Sequence, residues 1–331
     1  MIAMTAYSIL DLVSVVEGGT VPQALANAAD MAAYAESLGF TRFWVAEHHG
    51  MKGIASAATS VVIGHIAAAT QSIRVGAGGI MLPNHAPLVI AEQFGTLDAL
   101  HPGRIDLGLG RAPGSDQRVA HAIRRTLDSD PNAFVRDIVE LQSYFADDGR
   151  TGISATPGAG ADVQLYILGS SLYGAQVAAL LGLPYAFASH FAPQLLDEAL
   201  HMYRSSFKPS AVLEKPHAMV AMNIIAADSD EEAEYLASSI QQSFVGLRTG
   251  NPRQMQPPVE GYKAGLPPHI ATMLDELLSC SAIGSPNTVA QGIAKFIDRT
   301  QADEIIVACS MFDHEKRKRS LDLTAQAFNS L

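Results

Sequence analysis

Apolar runs of strand length alternate with stretches of helical periodicity along most of this chain, and that alternation constrains the architecture more than any other feature. A parallel strand pair cannot be joined by a tight hairpin and needs a crossover, so repeated strand–helix–strand sequence builds a parallel sheet with helices against it. Strands are expected at 7–15, 40–46, 72–81, 104–109, 163–169, 184–189, 217–227 and 303–309. Helices are expected at 20–38, 56–69, 87–99, 172–181, 193–206, 230–245, 286–300 and from about 314 onward. The first helix shows the grammar. Gly18 and Gly19 make a turn, Thr20 supplies a cap and Pro22 lies in the first turn. Leu25, Ala28, Ala29, Ala32 and Ala35 then recur at helical spacing until Gly39 stops the run. Eight strands, each followed by helical sequence within 331 residues, fit an α/β fold of the (β/α)8 TIM-barrel type with loop insertions. An open doubly wound sheet fits less well, because no GxGxxG follows the first strand. The chain reads as a single domain over 1–331, with insertions at about 146–162 and 246–282.

Composition narrows the partners. With 48% hydrophobic and 17% charged residues the chain can bury a large core, and disorder is not expected. Its formal charge of −11 argues against nucleic acid or an anionic membrane surface and points to a small ligand. Cys280 and Cys309 have no CxxC spacing, so neither a disulfide framework nor a cysteine metal site is expected. No apolar run reaches the roughly 20 residues of a membrane span, and the amino terminus lacks a signal-peptide pattern, which makes the cytoplasm the expected location.

Two stretches break the alternation. Residues 146–162 are small, Gly-rich and polar, and residues 248–268 carry five prolines. Both read as loops, and long loops after barrel strands are candidate lids. The second is expected to close over the site; a position on the opposite rim would exclude that.

Ionisable groups gather where the strands end. The second strand, FWVA at 43–46, runs into Glu47, His48 and His49. On an extended strand Glu47 and His49 point one way and His48 the other. If residues 44, 46 and 48 face the barrel axis, His48 is the catalytic candidate, with an imidazole suited to passing a proton near neutral pH. Satisfied structural histidines are the plain alternative. No metal is expected, because EHH lacks the HExxH spacing and no complementary ligand cluster is evident.

The third strand carries Gly76, Gly78 and Gly79 in an apolar context, which suits the close approach of a flat ring or simply tight packing. The fourth ends at Gly108 and Gly110 followed by Arg111, whose guanidinium can fork onto a phosphate. After the fifth, Ser170 or Ser171 looks like the cap of a helix whose first N–H groups suit an anion, plain capping being the alternative. In a barrel these features share one rim, and together they describe a phosphorylated planar cofactor. Leu10, Met81, Phe187 and Phe191 are apolar candidates for the mouth.

The segments WVAEHH (44–49), VGAGGIMLPNHAPLVIAEQFGTLDALHPGRIDLGLGRAPGSD (75–116) and ILGSSLYGAQVAALLGLPYAFASHFAP (167–193) resemble, in order, the bacterial luciferase-like flavin-dependent monooxygenases. The likeness extends over nearly the whole chain and is nearest the single-chain, non-luminescent members. It implies a barrel that uses reduced FMN as co-substrate, usually from a separate flavin reductase, with O2 forming a peroxyflavin that attacks an aldehyde or another small hydrophobic substrate. His48 then matches the family's catalytic histidine, and Gly78 and Gly79 match a pair joined by a cis peptide against the ring. Arg111 matches the arginine that grips the FMN phosphate, with Gly110 beside it at the cofactor, and Ser170, Ser171, Leu172, Tyr173 and Gly174 match the helix start that completes the phosphate site. The chain departs at Gly110, where luciferase has a cysteine, and a second phosphate arginine has no in-register counterpart near 133–136. The resemblance also implies a homodimer, for which the alanine-rich second and third helices offer a face. The rival readings are a deazaflavin-dependent hydride-transfer oxidoreductase, which the acidic charge disfavours, and a flavin-binding protein without turnover.

Overall fold

The computed structural model describes residues 5–111, 117–123, 130 and 132–331. In chain order the elements are β1 (Ala6–Asp11), α1 (Val21–Ser37), β2 (Arg42–Val45), α2 (Thr59–Ala68), β3 (Arg74–Met81), α3 (Pro87–Leu100), β4 (Ile105–Gly110), α4 (Gln117–Ile123) and α5 (Ala133–Ala146). They continue with β5 (Gln164–Gly169), α6 (Leu172–Leu181), β6 (Tyr185–Phe187), α7 (Leu196–Ser206), β7 (Ala218–Ala226), α8 (Asp230–Arg248), α9 (Pro268–Leu277), β8 (Ser281–Gly284), α10 (Pro286–Thr300), β9 (Glu304–Ala308) and α11 (His314–Asn329).

The strand order is β6-β5-β4-β3-β2-β1-β9-β7-β8, and a further β6–β7 pairing closes eight of the strands into a parallel barrel with flanking helices. These eight are the strands expected from the sequence. The ninth, β8, lies outside the closure: β7 spends Met219–Asn223 on β9 and Asn223–Ala226 on β8.

Alternation along the strands sorts the side chains into two layers. Outward residues such as Ile9, Phe43, Val75 and Leu107 join the large buried layer beneath the helices. Inward residues Trp44, Tyr166, Ala186, Met219, Ala221 and Ile306, with Leu10 and Leu168 against them, fill the barrel. Below them a polar plug closes the amino-terminal end. Buried Arg42 donates through Nε and Nη2 to the two oxygens of Glu304 (2.7 and 3.0 Å) and through Nη1 to Asp106 and Tyr166 (both 2.8 Å). Trp44 Nε1 also donates to Asp106, at 2.9 Å. Burial opposes the charge on Arg42, but Asp106 and Glu304 outweigh it and push its pKa up. Burial, with Asp106 beside it, raises the Tyr166 phenol to about 12.

Local signals act as the sequence suggests. Thr20 caps α1 by accepting from Gln23 N (3.3 Å), and Gly39 leaves the helix at φ +84°. The first strand is shorter than its apolar run, because the Asp11 carboxylate takes the Val13 N–H (2.5 Å) and Val13 turns to φ +51°. Three expectations need correction. The interval between β4 and β5 holds helices α4 and α5, and the span 246–282 contains α9 and the first half of β8. Residues 146–162 are irregular as expected, but they lead from α5 into β5 and so lie at the amino-terminal end, away from the strand ends that carry the candidate site. There Asp162 N donates to Asp98 (3.0 Å), and the backbone of Gly158 packs against Ala91 and Gly95. Among the described residues no helix is long and apolar enough to cross a membrane.

Candidate active site at the carboxyl-terminal rim

Glu47, His48 and His49 follow β2 and divide as strand alternation requires. Glu47 is fully buried and anchors a cluster: His49 Nε2 lies 2.7 Å and His85 Nε2 3.0 Å from its Oε1. Met81 N donates to Oε2 (2.9 Å) and Asn84 Nδ2 to Oε1 (3.2 Å). An ionised carboxylate only accepts, so both imidazoles present an Nε2–H to it. Burial pushes the Glu47 carboxyl up, but hydrogen bonds from His85, Met81 and His49 together prevail and hold it below its usual range. The cluster ties the segment after β2 to the segment after β3. Nothing in the sequence marks His85, since a partner so distant along the chain leaves no local pattern. Among the described residues Glu47, His49 and His85 are also the group whose ligand atoms lie closest to a metal-holding arrangement, within 4.8 Å of one another. Their mutual hydrogen bonds account for that closeness.

His48 stands apart from this cluster. It is half-buried, and its nearness to His190, after β6, disfavours a proton on that second imidazole.

The glycines have a firmer cause than an incoming ring. Gly78 and Gly79 are joined by a cis peptide bond. A Cβ on Gly79 would lie 2.6 Å from the Gly108 carbonyl oxygen, and one on Gly78 would lie 2.8 Å from Leu10 Cδ1 and 3.1 Å from Trp44. A Cβ on Gly76 would meet the Asp106 carbonyl at 2.3 Å, and one on Gly110 the Met81 thioether at 3.0 Å. Packing within the barrel therefore demands small residues here, whatever else binds above them.

Arg111 and the start of α6 come together. The Arg111 guanidinium lies over the Tyr173 ring, 4.0 Å from its centroid, and the arginine is exposed. Ser171, not Ser170, is the N-cap of α6, and its side chain makes no capping bond. The helix begins at Leu172, next to a cation, and the N–H groups of a helix's first turn have no acceptor within the helix itself. Gly174 lets α6 start close against β5, since a Cβ there would meet Gly169 Cα and the Tyr185 ring at 3.3 Å. A helix N-terminus beside a stacked arginine is suited to a phosphate monoester. Arg136 does not join them: it lies on α5, exposed and paired with Asp130.

The apolar candidates separate. Leu10 packs on the inner barrel layer and Met81 is half-buried beside Gly110, whereas Phe187 is 1% exposed and belongs to the core beneath the helices. Phe191 is 40% exposed. The proline-rich segment reaches the same rim as His48. Met255 N donates to Val15 O (3.2 Å), Glu17 N donates to Met255 O (2.8 Å), and the Arg253 carbonyl leaves no room for a side chain at Gly53.

Comparison with known proteins bears on the family and the fold. The family model described as luciferase-like monooxygenase matches residues 6–303. A luciferase-like monooxygenase of Escherichia coli strain K12 is 52% identical over 319 residues, covering 96% of this chain and 95% of its own. Among solved structures, apo-MsnO8 superposes with a TM-score of 0.89 at 32% identity, covering 98% of both chains. Two neighbours share the fold at lower identity. One is the oxygenating constituent of 3,6-diketocamphane monooxygenase of Pseudomonas putida in complex with FMN (TM-score 0.71, 16% identity, 98% and 97% covered). The other is an F420-dependent secondary alcohol dehydrogenase in complex with an F420-acetone adduct (TM-score 0.70, 15% identity, 98% of both covered).

Proposed function

The chain belongs to the luciferase-like monooxygenase family, and we propose that it is an FMN-dependent monooxygenase that takes reduced FMN from a separate cytoplasmic reductase and oxygenates a small apolar substrate. The observation that carries this reading is the Arg111–Tyr173 stack at the start of α6, on the same rim as His48. Arg111 and the N–H groups of Leu172, Tyr173 and Gly174 would hold the phosphate. Bound there, the reduced flavin supplies the electrons that split O2 between the product and water. Glycines 78, 79 and 110 keep the β3 and β4 wall flat. His48 is placed to hold or pass the proton that this chemistry consumes, because an imidazole exchanges protons near neutral pH. Residues 248–268 would close the mouth, since a dry site protects the oxygenating species from decay to peroxide.

The F420-dependent fold neighbour supports a second reading, hydride transfer from a deazaflavin. Titration with FMN, reduced FMN and the deazaflavin, followed by 18O2 incorporation into the product of an aldehyde and ketone panel, separates the two. The proposal expects reduced FMN to bind and one labelled oxygen atom to enter the product. Tight deazaflavin binding with no label incorporated supports hydride transfer. Flavin binding without turnover would leave a binding protein.

A further inference from the structure

His190 lies in the turn after β6 and is held there by its backbone. Asn223 Nδ2 donates to the His190 carbonyl (2.6 Å), and Ser189 Oγ donates to the Ala221 carbonyl (2.5 Å) one step before it. Its ring packs edge-on against Phe191 with 5.0 Å between centroids. Its Nδ1 is buried with no partner. A buried polar atom is ordinarily paired, so a ring fixed this firmly and left unpaired is a position prepared for something else. Asn223 adds a second such atom: its Nδ2 faces the His190 carbonyl, which fixes the amide orientation, and its Oδ1 is buried without a partner. By strand alternation Asn223 follows Met219 and Ala221 on the face of β7 that looks into the barrel. His48 is close enough to disfavour charge on His190.

We infer that His190 is a specificity-determining residue, its imidazole hydrogen-bonding the carbonyl or hydroxyl oxygen of the substrate from the side of the mouth carried by β6 and β7. This rests on the flavin monooxygenase reading of the same rim. The substrate class becomes an apolar body bearing one oxygen function, with the apolar part lying toward Leu10 and the exposed ring of Phe191. The imidazole stays neutral while it does so, because burial first and the neighbouring His48 second lower its pKa to about 4. A neutral ring offers one N–H and one lone pair, which suits either oxygen group. Asn223 acts through the turn and is a positioning residue.

The test uses the full chain with 15N-labelled histidine, titrated with 2-octanone and with n-octane, in the wild type, His190→Ala and His190→Gln. The ketone should shift the ring nitrogens of His190 and bind His190→Ala about tenfold more weakly, the loss expected for one hydrogen bond. His190→Gln, which keeps a donor, should recover part of that loss, and n-octane should bind all three alike. Equal ketone affinity in the wild type and His190→Ala, unmoved His190 nitrogens, or a wild type that binds n-octane as well as 2-octanone would each overturn the inference and leave a water-bridged structural histidine. FMN titration of the same samples separates the premise: all three should bind FMN within a few-fold. A wild type that fails to bind FMN removes the flavin reading while the ketone comparison still stands.

Discussion

The roles proposed for His48, a proton carrier, and for His190, a neutral hydrogen-bonding ring, make separate claims. Replacing His48 with alanine should leave FMN affinity within a few-fold while lowering coupled oxygenation by roughly 10²-fold, the usual cost of losing a general acid or base. Stopped-flow turnover alongside FMN titration measures both. His190 should titrate with a midpoint near 4, against an ordinary value of 6.5. Because the folded state lowers this pKa, the unfolded chain binds the proton first, and folding stability should decline as the pH falls from about 6.5 toward 4. Glu47 acts in the same direction at lower pH: its stabilisation is present above about 4.5 and is lost as acid protonates it. Thermal melts from pH 7 to 4 should therefore fall less steeply in His190→Ala than in the wild type. At this scale the sequence was legible where strand period decides the matter, as in the separation of His48 from Glu47 and His49. It was not legible where partners meet across the fold, as with His85 on Glu47 or Asn223 beneath His190. His190 did carry the signal that singled out His48, an ionisable residue just past a buried strand.

The elements show why the barrel's two ends behave differently. Arg42, Asp106 and Glu304 close the amino-terminal end, all but excluded from water. Arg42→Met should cost about 3–5 kcal/mol in urea unfolding, because it strands the buried Glu304 carboxylate without its arginine and leaves Asp106 to Arg74 alone. A loss under about 1 kcal/mol would mean that water reaches the plug. At the other end, residues 253–255 lean on the segments after β1 and β2. Replacing 251–256 with a short glycine linker should raise peroxide release per reduced FMN while leaving flavin affinity near the wild-type value. The eight barrel strands were legible because buried parallel strands read as apolar runs. The stripe of Phe134, Ile138, Leu141 and Phe145 marks α5 just as clearly, but it lies in a stretch where no strand pattern adjoins it. With four residues, β8 is too short to show a period, and α9 starts at a proline inside a proline-rich stretch.

At the scale of the whole molecule, α2 and α3 carry exposed apolar side chains outside these assignments. Val61 on α2 is 72% exposed, and Val89 and Leu100 on α3 are 43% and 66% exposed. We propose a homodimer with its contact there, since exposed apolar side chains on neighbouring helices suit an interface. Light scattering should give twice the 35.0 kDa chain mass for the wild type, and Val61→Asp should yield a monomer. The central claim concerns the other end of the barrel, where a phosphorylated flavin is held by Arg111 and the first turn of α6. The most direct measurement is the ratio of FMN to riboflavin affinity in the wild type and in Arg111→Ala, since the two ligands differ only in the phosphate. The account predicts that the wild type prefers FMN by at least about tenfold, the worth of one charge-assisted hydrogen bond, and that the ratio falls toward one in the variant. A ratio near one in the wild type, or one unchanged by the substitution, would contradict it.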